Sequence, residues 1–354
     1  MNKGDKRRNR RKFRVRYDRI AAGVLLLAIV AVVVSSCVKG LTKGSDKPEK
    51  EKKQSTASDT AEPETSTSAA DAQDTTDAAE PQETTEAVTT EPEKEEDPFY
   101  NTEKHEHDDI YTGNLVLVNA QNEYHFPEND TVLGLLSENI NEYYHSSDNV
   151  KKLDMEVIEH LNSMMEAYAL EEEISDSYLY VSDCFRTYAD QEDKHSSGNS
   201  IFAPGHSDYH TGRTFDLVSM GEDSVIKAFA PVDEYAWFYD NAERFGFVTR
   251  FPEEKSEFTG EVARANTYRY VGVPHAAYMN ANNLCMDEYI DMLKEHTKEK
   301  AIKFRTGDYN YTIYYVPAEA EGATEVPVPK NASYKVSGNN VDGFIVTYAT
   351  GSEE

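Results

Sequence analysis

Residues 20–38 form a run of nineteen positions without a charge, behind a head in which ten Lys or Arg stand against two acids, Asp5 and Asp18. No other feature constrains the chain as strongly. A helix needs ~20 apolar residues to cross a bilayer core, so the run divides the chain between two compartments. Positive charge stays on the cytoplasmic side. Residues 1–19 therefore read as a basic cytoplasmic head, 20–38 as a transmembrane anchor, and everything after Lys39 as extracytoplasmic. Basic clusters also mark nucleic-acid binding, but directly before an apolar run they set topology. A cleaved signal has a shorter apolar region and a small-residue site. Cys37 follows Val34-Ser35-Ser36, which is similar to a bacterial lipoprotein box, so lipid anchoring at Cys37 is the alternative. Either anchor holds the chain at the cell membrane with its C-terminal part outside.

Residues 39–98 read as a tether. From 40 to 98 there is no aromatic residue, only a Thr, Ser, Ala, Glu, Asp, Lys and Pro-rich stretch. Such a segment buries too little apolar area to offset its ordering entropy and is expected to be disordered. A flexible chain of that length spans about 40–45 Å r.m.s., more with charge repulsion. The formal net charge of −29 divides into +8 for the head and −37 for the rest. That acidity excludes nucleic acid and anionic lipid as partners of the outer region. Cys184 and Cys285 are the two cysteines of that region. One disulfide or two buried thiols both suit an extracytoplasmic setting.

The folded part divides at residue 300. Over 99–300 the pattern mixes helix and strand. Residues 114–119 (Asn-Leu-Val-Leu-Val-Asn) read as a short buried strand, and 131–144 as a helix. Residues 153–169 form a stronger helix, with Val157, Ile158, Leu161, Met164, Met165 and Tyr168 at spacings of three and four and Asp154 near its start. Strands are predicted at 178–181, 214–218, 247–250 and 268–271. Asp233 caps a helix that runs to Arg244 and stops at Gly246. Helices follow at 274–282 and 287–298. From 301 to 354 alternation takes over at 311–316, 334–336 and 344–347, with turn chemistry at Asn339-Asn340 and Asp342-Gly343. The fold class is α+β with a small C-terminal β appendage.

Chemistry concentrates in Pro204-Gly205-His206-Ser207-Asp208-Tyr209-His210-Thr211-Gly212-Arg213-Thr214-Phe215-Asp216-Leu217. Two His and two acids beside a Gly turn suggest a zinc site; a polar loop whose Asp holds a turn is the alternative. The segment resembles the Ser-x-His-x-x-Gly-x-Ala-x-Asp signature of VanY-type D-alanyl-D-alanine carboxypeptidases. Ser182-Asp183-Cys184-Phe185-Arg186-Thr187-Tyr188-Ala189-Asp190-Gln191 resembles the same family's Ser-Gly-Tyr-Arg-Ser/Thr-Tyr-x-x-Gln motif. Asn241-Ala242-Glu243-Arg244-Phe245-Gly246-Phe247, then Arg250, Thr259 and Gly260, is similar to the middle of that domain. Arg269-Tyr270-Val271-Gly272 with His275-Ala276 is similar to its end.

The resemblance implies a zinc peptidase that trims terminal D-alanine from peptidoglycan stem peptides. It implies a His and an Asp ligand from the first signature, a His ligand and a Glu base from a Glu-x-Trp-His motif, and Arg, Gln and Ser holding the substrate carboxyl end. Carried over, Arg186, Gln191 and Ser207 are retained as substrate-binding residues, and Asp216 as a metal ligand. Tyr209 and Thr267 stand at the other two ligand positions and Arg264 at the base position, so no catalytic residue is intact. A catalytic zinc takes about three protein ligands plus an open position. Hydroxyls are poor ligands, and an arginine cannot act as a base. Zinc is therefore not expected as a cofactor. A rearranged zinc set using His206 or His210 stays open, although His210 is one residue late, which on a strand turns it to the opposite face. Arg264 either replaces the metal's charge by pairing with Asp216, directly or through Tyr209, or is a solvent-exposed arginine on a surface turn. The leading expectation is a membrane-anchored pseudoenzyme that binds peptidoglycan stem peptides or serves as a cell-wall scaffold. An active metallo-D,D-carboxypeptidase with the rearranged site is the alternative.

Overall fold

A computed structural model describes residues 97–174, 178–221, 225–232 and 235–351. The basic head, the 20–38 run, most of the tether and the capping residue Asp233 lie outside the described residues. Among those described, no helix is long and apolar enough to cross a membrane.

The first half supplies strands β1 (Tyr100–His105), β2 (Leu133–Leu135), β3 (His145–Ser146), β4 (Lys152–Asp154), β5 (Leu179–Asp183), β6 (Thr214–Met220) and β7 (Ile226–Ala228). The second adds β8 (Phe247–Phe251), β9 (Arg264–Tyr270), β10 (Ile302–Thr306), β11 (Tyr309–Pro317), β12 (Thr324–Pro329), β13 (Tyr334–Gly338) and β14 (Gly343–Thr350). The main sheet runs β3-β5-β6-β9-β8, with β7 beside β6. Its β3–β5 pair is parallel, and its other pairs are antiparallel. Because side chains alternate across a sheet, β6 and β9 present two chemically distinct faces. Phe215, Leu217, Tyr268 and Tyr270 pack with the stripe Val157, Ile158, Leu161, Met164, Met165 and Tyr168 of the helix Met155–Glu171. Asp216 and Thr267, in direct register, serve the other face.

The Met155–Glu171 helix starts where its sequence signals. The Asp154 carboxylate accepts from the Glu156 N–H at 2.8 Å, satisfying one of the orphan donors of the first turn. Gly246, at φ 86°, ends the pair of short helices Ala236–Asn241 and Ala242–Phe245. The predicted strands near 179, 214, 247, 268, 311, 334 and 344 are all present.

Three local expectations need correction. Residues 131–144 are not one helix but β2, the four-residue helix Leu136–Asn139 and a turn. Here Leu136 N donates to Lys151 O at 2.9 Å and Asn141 N to Asn162 Oδ1 at 3.1 Å, so distant partners replace helical ones. The helix predicted at 287–298 is Met286–Leu293. The His296 carbonyl beyond it accepts the Tyr315 N–H of β11 at 2.8 Å. Residues 114–119 belong to no strand. Leu115, Val116, Leu117 and Val118 are buried all the same. Arg269 Nη2 donates to the carbonyls of Asn114 at 3.1 Å and Val116 at 2.9 Å, Arg250 Nη2 to Val118 at 3.0 Å, and Asn340 Nδ2 to Leu117 at 2.8 Å. Guanidinium and amide donors satisfy these buried carbonyls in place of a ladder.

The C-terminal sheet runs β10-β11-β14-β13. Its Ile302, Ile313, Tyr315 and Ile345 share one apolar cluster with Leu115, Leu117 and the helices Val273–Asn282 and Met286–Leu293. β1 pairs with β12 over six residue pairs, from Tyr100↔Pro329 to His105↔Thr324. Cys184 and Cys285 are both buried free thiols.

Candidate functional site

Gly212 ends the 3-10 turn Asp208–Thr211 at φ 68°, a left-handed conformation that favours glycine, and turns the chain straight into β6. That geometry lays Tyr209 against the strand. Its hydroxyl donates to Asp216 Oδ1 at 2.6 Å. From the neighbouring strand, Thr267 Oγ1 donates to the same oxygen at 2.7 Å. Burial raises the Asp216 pKa above its ordinary value; the two hydroxyl donors pull the other way without cancelling it, and the nearby Arg264 charge adds to that pull. Burial and then the Asp216 charge push the Tyr209 phenol well up, so it stays the proton donor of the pair.

Arg186 lies across the Tyr209 ring, with Cζ 4.0 Å from the centroid. Its Nη1 donates to Gln191 Oε1 at 2.8 Å, and its Nε to Asp183 Oδ1 at 3.3 Å, while Nη2 pairs with Asp183 Oδ2. Lys194 Nζ adds a contact to Asp183 Oδ2 at 3.1 Å. Gln191 is fixed in turn by donating to Ser200 Oγ at 2.9 Å and Phe202 O at 2.6 Å. Ser207 is fully buried, and its hydroxyl has no hydrogen-bond partner among the described residues. The structure thus gathers Arg186, Gln191, Tyr209, Asp216 and Thr267 into one connected, largely buried polar cluster.

It does not bring the two histidines to Asp216. His210 Nε2 accepts from the Gly205 N–H at 3.2 Å, so Nδ1 carries the proton that reaches Arg186 O at 2.7 Å. Burial lowers the His210 pKa, consistent with this neutral form. His206 Nδ1 lies 2.9 Å from Asn119 O. Among the described residues, no group of three His, Cys, Asp or Glu is placed to hold a metal. The donor set does not fit zinc. The Tyr209 and Thr267 hydroxyls both donate to the one carboxylate oxygen, and both His210 nitrogens are engaged.

The expected pairing of Arg264 with Asp216 also needs correction. Arg264 makes no hydrogen bond or ion pair to it; its Cζ instead lies 5.2 Å from the Phe202 ring centroid. The hydroxyls of Tyr209 and Thr267 hydrogen-bond Oδ1 in its place but bring no compensating charge, and the Asp216 pKa stays raised.

Sequence reading missed several charged residues in and around the site. Asp183, three residues before Arg186, is the acid that engages its fork; the spacing was the available signal. Asp208, fully enclosed, binds Arg269 Nη1 at 2.8 Å, lies 3.3 Å from Arg250 Nε and accepts from Thr214. Arg250 Nη1 pairs with Asp287 at 2.7 Å. These partners are remote in sequence and left no local signal.

Fold and site together define an α+β domain with a polar cluster centred on a strand-borne aspartate that accepts from two hydroxyls. A family model described as VanY, D-alanyl-D-alanine carboxypeptidase, matches residues 150–273. A D-alanyl-D-alanine carboxypeptidase of Enterococcus faecium is 31% identical over 255 residues, covering 69% of this chain and 77% of that protein. Among solved structures, the vancomycin-resistance D,D-dipeptidase VanXYg in complex with a D-Ala-D-Ala phosphinate analogue is 26% identical. It covers 71% of this chain and 99% of its own, with a TM-score of 0.60. A mutant of the D,D-pentapeptidase VanY from a VanB-type resistance cassette, in complex with Zn(II), is 25% identical, covering 50% of this chain and 98% of its own with a TM-score of 0.39. The chain belongs to the VanY family of D-alanyl-D-alanine carboxypeptidases.

Proposed function

We propose that this domain receives the D-alanine ends of peptidoglycan stem peptides at the Asp216 site and does not hydrolyse them. One observation carries the reading. Tyr209 and Thr267, at the family's two other ligand positions, both donate to Asp216 Oδ1, so the carboxylate is engaged by protons where the family would place a metal. Arg264 stands at the base position and cannot take a proton from water. Arg186, Gln191 and Ser207, which the resemblance assigns to substrate binding, are retained, and the related VanXYg holds a D-Ala-D-Ala analogue. The expected result for purified full-length chain in detergent is substoichiometric zinc, no D-alanine release from a D-Ala-D-Ala pentapeptide, and measurable binding of that peptide by calorimetry. Stoichiometric zinc with metal-dependent release would establish the enzyme instead. Absence of both binding and release would leave a scaffold.

The same proposal places the domain outside the cell, held by residues 20–38 or by a lipid on Cys37 and carried outward by residues 39–98. A tag placed after residue 354 should be cleaved by protease added to intact spheroplasts. A tag protected until the membrane is broken would overturn this placement.

A further inference from the structure

We propose that Arg264 is the residue that reads the terminal carboxylate of the peptide at this site. The proposal rests on the peptide-end reading and names the group that would select the ligand. Five arginines are buried or half-buried among the described residues: Arg186, Arg213, Arg250, Arg264 and Arg269. Four face acids. Arg186 holds Asp183 and Arg213 holds Asp130 at 2.9 Å, while Arg250 and Arg269 share Asp208. Arg264 has no hydrogen-bond or ion-pair partner among the described residues.

Its placement is nonetheless defined. The guanidinium lies over Phe202, whose buried ring is 6.3 Å from that of Tyr209 and 5.6 Å from that of Phe251. Tyr209 in turn binds Asp216. Arg264 therefore stands beside the Tyr209–Asp216 pair, half-buried against an aromatic ring and with no bonded acceptor among the described residues. A planar fork of this kind suits bidentate carboxylate recognition. Asp216 and Glu261 lie within its electrostatic reach, and its charge lowers the pKa of each against the raising effect of burial, yet neither is bonded to it.

Arg186 is differently placed. A carboxylate arriving there must displace Asp183, which is held in addition by Lys194. One arriving at Arg264 meets unengaged donors. The position that carries a negative base in the family here carries a positive charge, which makes it attractive to an anionic end group.

The test compares a D-Ala-D-Ala pentapeptide with its C-terminal amide on full-length chain in detergent. The wild type is expected to prefer the free acid about 10–100-fold, the worth of a charge-assisted hydrogen-bond pair. R264Q should bring acid and amide to equal affinity by weakening the acid alone. R264K should keep part of the preference, because it retains charge without the fork. If R264Q lowers the melting temperature, the acid-to-amide ratio of R264K supplies the comparison. R264Q that folds and keeps the full acid preference would overturn the assignment, as would a wild type that binds acid and amide equally; in both cases the peptide-end reading stands. A wild type that binds neither form overturns that reading and this assignment together.

Discussion

Asp208→Asn is expected to lower the unfolding free energy by about 3–5 kcal/mol, the range for breaking one partner out of a buried ion-pair network. The substitution keeps the size of the side chain and removes the charge. Arg250 retains Asp287, but Arg269 keeps only carbonyl acceptors at Tyr270, Asn114 and Val116. Urea unfolding at neutral pH measures the change, and a loss under about 1 kcal/mol would show that the network compensates from elsewhere. The same group gives a pH signature. Burial alone would raise the Asp208 pKa, but Arg269, Arg250 and the Thr214 hydroxyl hold it below its ordinary value. A carboxyl whose folded pKa is depressed contributes stability in full above its unfolded pKa of about 3.9. That contribution is lost as pH falls through the lower folded pKa. Acid unfolding should therefore set in below about pH 4 in the wild type, and Asp208→Asn should remove this component.

Tyr209→His with Thr267→His is expected to create zinc affinity at least about 10²–10⁴-fold above the wild type. Even outer-shell partners of a zinc ligand are worth about 10–100-fold each, and here two direct ligands would join Asp216. Both substituted side chains already reach Asp216 Oδ1. Removing the hydroxyls also frees that oxygen. Zinc titration against a competing chelator reads the gain, and affinity equal to the wild type would show that the two positions do not converge on a metal site. Hydrolysis should remain absent until Arg264→Glu is added, since a bound zinc without a base at that position lacks its proton acceptor.

Much of this arrangement was readable before any coordinates. Aligning the motifs with the family resemblance singles out Tyr209 and Thr267; the sheet register sets Thr267 opposite Asp216, and the 3-10 turn brings in Tyr209. The Asp154 cap and the apolar stripe after it fixed the long helix, because those signals are local. What was not readable depended on partners far along the chain. The apolar run Leu115-Val116-Leu117-Val118 has a strand's composition, but its carbonyls are claimed by Arg250, Arg269 and Asn340. The pairing of Asp183 with Arg186 was within reach of the sequence; the seat of Arg264 on Phe202 was not, since it depends on how the 3-10 turn and β9 are laid together.

The pairing of β1 with β12 has a mechanical consequence. A pull on the domain through residue 97 loads β1 before any other strand, and β1 is held along its length by six antiparallel residue pairs. Tension directed along the strand acts on those pairs in shear, so they share the load rather than opening one after another. Tyr100 adds a side-chain tie to Tyr348 at 3.0 Å, and Lys298 a tie to Asp97 at 3.1 Å. Force entering from the N-terminal side is thus passed to the C-terminal half of the fold, on strands that do not include β6, which carries Asp216. A domain dragged by its leading segment would load the β1–β12 pair before the strand that carries Asp216.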